Sequence, residues 1–177
     1  YGLWLLPVQC PALLAHIAWL RQQLADLLHP AGRRQAHISL FVCGFSSGLR
    51  RLDDDFSKTQ LQGQLRELGR TPRAAFCLQI GQPDSFASAA ILPIHDRSGQ
   101  LPAWRQRLAE HSTEIRQSAY LPHITLGLYR QSLPAELLRE RFSALQQRGP
   151  EQLQVRHLQY ATYQARQLSG PQIGRAH

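Results

Sequence analysis

The two halves of this chain carry the same order of segments, and this repeat constrains the fold more than any other feature. Residues 5–8 (LLPV) recur as residues 91–94 (ILPI), 86 positions later. A helical segment around Trp19 recurs around Trp104 at an offset of 85, with one residue missing from the second copy. Repeated units of this kind each form one supersecondary motif that packs against its neighbour. We therefore expect two similar lobes related by a pseudo-twofold axis.

Each half also contains a histidine followed two positions later by a hydroxyl residue. The copies span residues 37–40 (HISL) and 123–126 (HITL), so the histidines are again 86 positions apart. Both segments read as strands, in which side chains alternate between two faces. His37 and Ser39 then share one face, as do His123 and Thr125. Either histidine alone would be explained best as a strand residue satisfied by the backbone, but two copies at equivalent places in a repeat indicate a site.

Hydrophobic periodicity and turn residues predict the other elements. The predicted strands cover residues 2–8, 35–45, 74–82, 86–95 and 122–129, with a last strand within 153–163. The predicted helices cover residues 11–28, a segment ending near residue 68, residues 102–115 and a segment from Pro134 to Gly149. Asp53, Asp54 and Asp55 are placed in the first turn of the second helix, where acids complement the helix dipole. No linker divides residues 1–177, so we predict one domain, with a flexible tail over residues 169–177.

The charge of the chain points to an anionic partner. Lys and Arg number 20 against 12 Asp and Glu, which gives a net charge of +8. Lys58 is the only lysine, and the planar arginine fork suits phosphate. Codon bias is an equally good explanation for the excess of arginine over lysine.

Other features of the composition bear on location. No apolar run approaches the roughly 18 residues that would span a bilayer, so we expect no membrane association and a cytoplasmic protein. Cys10, Cys43 and Cys77 lie in apolar surroundings without CxxC spacing. This pattern predicts buried, reduced thiols rather than disulfides or a metal site.

Two histidines opposed across a cleft, each beside a hydroxyl, can cleave a phosphoester without a metal. One imidazole takes a proton from water while the other, protonated, donates to the leaving oxygen. Ser39 and Thr125 can hydrogen-bond the non-bridging phosphate oxygens. Neither motif lies in a nucleophile elbow, and no third zinc ligand is suitably spaced. Which histidine is acid and which is base stays open, because the halves are nearly equivalent.

The two motifs, the second preceded by Pro122, resemble the paired H-x-[S/T]-apolar motifs of the 2H phosphoesterase superfamily. This superfamily includes bacterial 2′-5′ RNA ligase-like proteins and cyclic phosphodiesterases. The resemblance covers nearly the whole chain. It implies an α+β fold with two pseudo-equivalent lobes, in which antiparallel sheets flanked by helices surround a basic central cleft. It also implies a phosphodiesterase that needs no metal or cofactor and opens 2′,3′-cyclic phosphates of nucleotides or RNA ends, or ADP-ribose 1″,2″-cyclic phosphate.

Two tyrosines near the second motif are candidates for substrate binding. Tyr129 lies on the cleft face if its strand stays regular, and there it could stack on a base or contact a phosphate. Tyr120 is the weaker candidate. Many RNA-directed relatives have an arginine five positions past the second histidine, where this chain has Leu128. Cyclic phosphodiesterases tend to have a tyrosine at that position, and this chain has Tyr129 one residue later. The missing arginine and the nearby tyrosine together favour the cyclic phosphodiesterase branch.

Arginines flank both motif strands. Arg130, Arg33 and Arg34 could contact substrate phosphates, although solvated strand-end arginines are the simpler interpretation. The partner we expect is a nucleotide or RNA terminus bearing a cyclic phosphate, bound by a monomer. The alternative function is that of an RNA-end-binding or 2′-5′ RNA-ligase-type protein with little hydrolytic activity.

Overall fold

The computed structural model describes residues 1–30, 32, 34–48, 51–70, 75–116, 118–145, 149–164 and 173–176. Within them the chain forms a mixed α+β fold, as predicted, with ten strands and four helices. The strands are β1 Gly2–Pro7, β2 His37–Ser47, β3 Asp55–Ser57, β4 Phe76–Ile80, β5 Asp84–Ser85, β6 Ala89–His95, β7 His123–Leu128, β8 Gln152–Val155, β9 Gln159–Thr162 and β10 Ile173–Ala176. The helices are α1 Pro11–Gln23, α2 Lys58–Arg70, α3 Gln100–Ala109 and α4 Ala135–Ser143.

The strand order of the sheet has the predicted pseudo-twofold symmetry. Eight strands follow one another as β10-β9-β1-β2-β7-β6-β4-β8, with β3 beside β2 and β5 beside β6. The axis passes between β2 and β7, the two strands that carry the histidine motifs. It relates β1 to β6, as the sequence repeat requires, and β9 to β4. Because β9 from the second half joins β1 and β4 from the first half joins β6, each half completes the sheet of the other.

The two motif strands have the same register against their outer neighbours. Pro7, Leu6 and Leu5 pair with His37, Ile38 and Ser39. Pro93, Leu92 and Ile91 pair with His123, Ile124 and Thr125 in the same way. The register then shifts in both pairs, which leaves one extra residue in each motif strand, Leu40 in β2 and Leu126 in β7. A bulge of this kind reverses the alternation of the side chains that follow.

The core lies between the sheet and the helices and joins both halves in one apolar cluster. β1 is buried along almost its whole length, as its continuous apolar sequence predicts. Leu13, Ile17 and Leu20 of α1 are buried at helical spacing. The helices cross between the halves, since α1 contacts β7 and α3 contacts β2.

Three helices end earlier than predicted, and of these α4 ends at Ser143 rather than near Gly149. α1 stops at Gln23 rather than near Leu28, and α3 stops at Ala109 rather than near Ile115. In both cases the following segment hydrogen-bonds to a motif strand of the other half. His29 N donates to Leu128 O (2.9 Å) and Ile115 N donates to Val42 O (3.2 Å). Long-range strand pairing therefore overrides the local preference for helix.

The placement of the three aspartates in a helix is wrong. Asp53 and Asp54 lie in a turn, and Asp55 begins β3, which runs parallel to β2. Asp55 Oδ2 accepts hydrogen bonds from the backbone amides of residues 51 and 52 at 2.8 and 2.9 Å. The helix α2 starts instead at a capping box, in which Ser57 Oγ accepts from the Gln60 amide and Gln60 Oε1 accepts from the Ser57 amide.

The remaining predictions concern the C-terminal part and the cysteines. Residues 153–163 hold parts of two strands, β8 and β9, rather than one. Of the predicted flexible tail, residues 169–172 and 177 lie outside the described residues, whereas Ile173–Ala176 pair as β10 with β9. All three thiols are free, but only Cys43 is buried, and Cys77 is exposed on β4. No described helix is long and apolar enough to cross a membrane.

Candidate functional site

Strands β2 and β7 bring the two motifs together at the centre of the sheet. They are antiparallel and pair at Ile38 and Ile124, whose side chains are fully buried. Because alternate residues face the opposite side, His37, Ser39, His123 and Thr125 all lie on the other face, where none is fully buried. We call these four residues the tetrad. The motif strands were expected to face each other across a cleft, and instead they lie side by side as neighbours in one sheet.

The register places each histidine opposite the hydroxyl of the other motif. With Ile38 opposite Ile124, His37 is opposite Thr125 and Ser39 is opposite His123. Directly opposed Cβ atoms in an antiparallel pair lie about 5 Å apart, and diagonal ones about 7–8 Å. The two histidines occupy one diagonal of the tetrad and the two hydroxyls occupy the other. One phosphate can therefore sit between the imidazoles with a hydroxyl on each flank.

The two imidazole rings are held in the same way. His37 Nδ1 is 2.8 Å from the carbonyl oxygen of Gln35, and His123 Nδ1 is 2.7 Å from that of Leu121. A carbonyl oxygen can only accept, so each Nδ1 carries a proton and donates. The Nε2 atom is then the proton acceptor of a neutral ring and the proton donor of a charged one.

The surroundings lower the pKa of both histidines. For His37 the main cause is burial, and the positive charges of Arg34 and protonated His123 lower the pKa further against the raising effect of the Gln35 carbonyl. For His123 the causes are burial and Arg116, opposed by the Leu121 carbonyl. Since a charge on His123 disfavours one on His37, the pair passes through a singly protonated state.

β2 and β7 pair only at Ile38 and Ile124 among the described residues, and a different segment pairs with β7 beyond the end of the tetrad formed by His37 and Thr125. There β7 pairs with the segment after α1, through the bond from His29 to Leu128 and a bridge between Leu28 and Tyr129. A cleft of about 1070 Å³ opens beside this segment and reaches His37 and Thr125. Its described lining also includes Arg21, Arg34 and Arg130 and contains no acidic residue. We call this the open end of the site. Arg33, the other arginine predicted to flank the first motif, lies outside the described residues.

The bulge in β7 overturns the predicted direction of Tyr129. The Tyr129 side chain is 7% exposed and belongs to the core, and its hydroxyl lies 2.7 Å from Ser85 Oγ. Leu128, which a regular strand would bury, is 45% exposed and lines the cleft. Tyr129 therefore does not contact the cleft, because the extra residue Leu126 reverses the alternation after Thr125.

Tyr120 precedes His123 at the opposite end of the tetrad, and its ring contacts two arginines. The Arg105 guanidinium is 3.9 Å from the centre of its ring and that of Arg116 is 5.4 Å away. Burial raises the pKa of Tyr120 to about 12. Arg105 also donates to Glu114 (2.5 Å), and Glu114 accepts from the Val42 amide (2.9 Å). We call this packed cluster the closed end of the site.

Two arginines in equivalent positions of the repeat hold the two bulges. Arg21 of α1 donates from Nε to the carbonyl oxygen of Leu126 at 2.7 Å. Arg105 of α3 donates from a terminal nitrogen to the carbonyl oxygen of Leu40 at 2.6 Å. Each helix thus fixes the motif strand of the other half. Their place in the repeated helical segment was the sequence signal that could have revealed them.

Phe86 is a further site residue that the sequence motifs do not indicate. Its ring stands edge-on to that of His123, with centroids 4.8 Å apart and planes at 89°. The contact fixes the His123 ring from the side of β6. Because Phe86 approaches His123 from a loop between β5 and β6, no local spacing reveals it.

The tetrad contains no carboxylate or thiolate and has no typical metal-ligand set. Among the described residues, one group elsewhere brings metal-ligating atoms together. Glu67 of α2 meets Glu110 and His111 after α3, with donor atoms within 4.8 Å of one another. It shares no residue with the tetrad.

Comparison with known proteins agrees with this arrangement. The model of the 2′-5′ RNA ligase superfamily matches residues 10–167. No curated protein matches. Several solved structures share the fold over almost their whole length. E. coli LigT complexed with phosphate has a TM-score of 0.57 at 16% identity, covering 99% of this chain and 92% of that chain.

Two other similar structures extend the range of relatives. A phosphoesterase has a TM-score of 0.59 at 17% identity, covering 98% of this chain and 95% of that one. Kluyveromyces marxianus Usb1 has a TM-score of 0.55 at 11% identity, covering 98% and 96%. The paired motifs, the pseudo-twofold sheet and the family match agree, and the chain belongs to the 2′-5′ RNA ligase (2H phosphoesterase) superfamily.

Proposed function

We propose that this protein is a phosphodiesterase that opens cyclic phosphates, 2′,3′-cyclic or ADP-ribose 1″,2″-cyclic, on a nucleotide or RNA end. The observation that carries the proposal is the pair of histidines with identical backbone anchors, each beside a hydroxyl of the other motif. Two equivalent Nε2 atoms on one face supply an acid and a base for the same phosphate. No other group among the tetrad residues is needed for the proton transfers.

The proposed reaction is a single in-line displacement at phosphorus. One neutral Nε2 takes a proton from water as the water oxygen bonds to phosphorus. The bond from phosphorus to one ribose oxygen breaks, and the other, protonated Nε2 donates its proton to that oxygen. Ser39 and Thr125 donate hydrogen bonds to the non-bridging oxygens, where negative charge accumulates. The product is an acyclic phosphate monoester, and the two histidines have exchanged protonation states.

A second candidate function is the binding of RNA ends with little hydrolysis. It is favoured by the three arginines in the described lining of the cleft, with no acid beside them. The structure of LigT complexed with ATP shows a nucleotide bound to a relative of the same fold. The two candidate functions are distinguished by experiment. Binding of RNA ends through arginines weakens steeply as the salt concentration rises, and a phosphodiesterase forms a product that can be measured.

Ring opening should proceed in the presence of a chelator. We expect purified protein with excess EDTA to convert a 2′,3′-cyclic nucleotide to a monoester, because both proton transfers are assigned to histidine. Chromatography with ³¹P NMR identifies the product and the ribose oxygen that keeps the phosphate. An activity that EDTA abolishes and a divalent metal restores would contradict the mechanism. Tight, salt-sensitive binding of RNA ends without product would support the second candidate.

The pH dependence should be shifted to the acid side. The reaction needs one charged and one neutral histidine, and both have pKa values below the ordinary 6.5. Raising the pH above these values removes the proton from the acid, so we expect kcat/KM to peak below pH 6.5 and fall above it. A bound phosphate favours the charged rings, so the kcat profile should peak at higher pH. A kcat/KM maximum above pH 7.5 would contradict the assigned roles.

A further inference from the structure

The open and closed ends are equivalent places in the repeat that have become different. At the closed end, Arg105 and Arg116 are balanced by Glu114, and the ring of Tyr120 covers them. The position of Glu114 in the repeat corresponds to Leu28 at the open end, and that of Tyr120 corresponds to Arg34. The open end therefore has a cation where the closed end has a ring, and an apolar residue where the closed end has an acid.

The same substitution pattern makes room at the open end. Phe41 of β2, whose ring lies against Arg105, corresponds to Gly127 of β7. Leu28 packs against Gly127, and the remaining space forms the cleft of about 1070 Å³. A volume of this size accommodates a nucleotide. The tetrad thus has space for an extended, anionic substrate on one side, beside His37 and Thr125.

We propose that the open end is a subsite for a second phosphate, carried on the 5′ oxygen of the ribose that bears the cyclic phosphate. The proposal rests on the proposed function, since it takes the cyclic phosphate to lie at the tetrad. The 5′ oxygen is at the other end of the same ribose, so its phosphate extends away from the reacting centre. Arg130 and Arg34 line the cleft that reaches His37 and Thr125. Arg130 Nε donates to the carbonyl oxygen of Leu28 at 2.6 Å, which holds the guanidinium at the cleft wall.

This chemistry occurs in two of the candidate substrates. An RNA end with a cyclic phosphate has its last phosphodiester at this 5′ position, and ADP-ribose cyclic phosphate has its diphosphate there. A simple 2′,3′-cyclic nucleotide has neither. The subsite would therefore distinguish cyclic ends of longer molecules from free cyclic mononucleotides, and arginine can bind either phosphate group through its fork of N–H donors.

The test compares two small substrates on one enzyme: adenosine 2′,3′-cyclic phosphate with and without a 5′-phosphate. We expect kcat/KM to be about ten- to a hundredfold higher with the 5′-phosphate, because one or two charge-assisted hydrogen bonds are gained. Arg130→Ala should reduce this ratio at least fivefold. Arg139→Ala, which removes the same charge from an exposed position on α4, should leave the ratio and both rates unchanged.

The ratio of the two kcat/KM values is measured on one enzyme preparation. A fraction of misfolded protein lowers both values equally, so it does not change the ratio. A ratio near one in the wild-type protein would overturn the subsite while leaving the phosphodiesterase assignment intact. Equal loss of ratio in Arg130→Ala and Arg139→Ala would overturn it as well, because it would mean that only overall charge matters. No turnover of either substrate would instead count against the proposed function. The same assay with RNA ends and with ADP-ribose cyclic phosphate then shows whether the second phosphate comes from an RNA phosphodiester or from a diphosphate, since the substrate with the higher kcat/KM identifies its source.

Discussion

Replacement of either motif histidine with alanine should nearly abolish ring opening. His37→Ala and His123→Ala are each expected to lower kcat/KM by about 10²–10⁴-fold, the usual contribution of one general acid or base. Each variant keeps one histidine and both hydroxyls, so the substrate should still bind. Initial rates with a 2′,3′-cyclic nucleotide are measured in EDTA by stopping the reaction at set times and separating the product by chromatography. They give the kcat/KM of each variant relative to that of the wild-type protein.

The two histidine substitutions should not be additive. Once the acid or the base is lost, the concerted transfer fails, and the double variant should be little slower than the worse single variant. His95→Ala is the matched control, because His95 is an exposed strand histidine without a neighbouring hydroxyl motif. We expect it to retain wild-type rates. Full activity in either single variant of the tetrad would rule out the two-histidine mechanism.

The largest effect on stability is expected at Gln64. This side chain on α2 is fully buried, accepts from Trp4 Nε1 at 2.7 Å, and donates to Leu108 O at 3.1 Å and Ser112 Oγ at 2.9 Å. It joins the first strand to the end of α3. Gln64→Ala leaves the Trp4 indole N–H without its acceptor and opens a cavity, so we expect the free energy of unfolding to fall by about 3–5 kcal/mol.

Urea unfolding followed by tryptophan fluorescence measures this change. Gln62→Ala, two positions earlier on the exposed face of the same helix, should change stability by less than about 0.5 kcal/mol. Gln64→Met keeps most of the side-chain volume but loses the hydrogen bonds, so its loss in the free energy of unfolding should lie between those of Gln62→Ala and Gln64→Ala. If Gln64→Ala matched Gln62→Ala, the buried amide would have no net role in stability.

The sequence was sufficient to place each histidine and its hydroxyl on one face of a strand, but it did not show that the two motif strands are neighbours in one sheet. A strand alternates its faces, and a repeat places equivalent residues at equivalent positions. His37 with Ser39 and His123 with Thr125 follow directly. The orientation of Tyr129 could not be predicted in this way, because it depends on an extra residue in the pairing of β7 with β6. A bulge is a property of two strands, and one strand's sequence does not show it.

The ends of α1 and α3 illustrate the same difficulty. Each helix stops where the following segment finds hydrogen-bond partners in the other half of the chain, at Leu128 or Val42. The start of α2 does have a signal in the sequence, since Ser57 and Gln60 have capping-box spacing, but the run of three acids just before it is also typical of a first helical turn. Nothing in the sequence distinguishes Gln64 from the exposed Gln62 on the same helix, because the partners of Gln64 come from β1 and from the end of α3.

The exchange of helices between the halves determines how the protein can fold. α1 rests on β7 and α3 rests on β2, and β1 must pair with β9, whose residues lie close to the other end of the described chain. Contacts between residues so far apart in sequence raise the contact order and slow folding. The sheet around β1 therefore cannot be completed before the ribosome has released Gln159–Thr162. We expect the two halves to unfold together in one cooperative transition, because neither can keep its motif strand in place without the helix of the other.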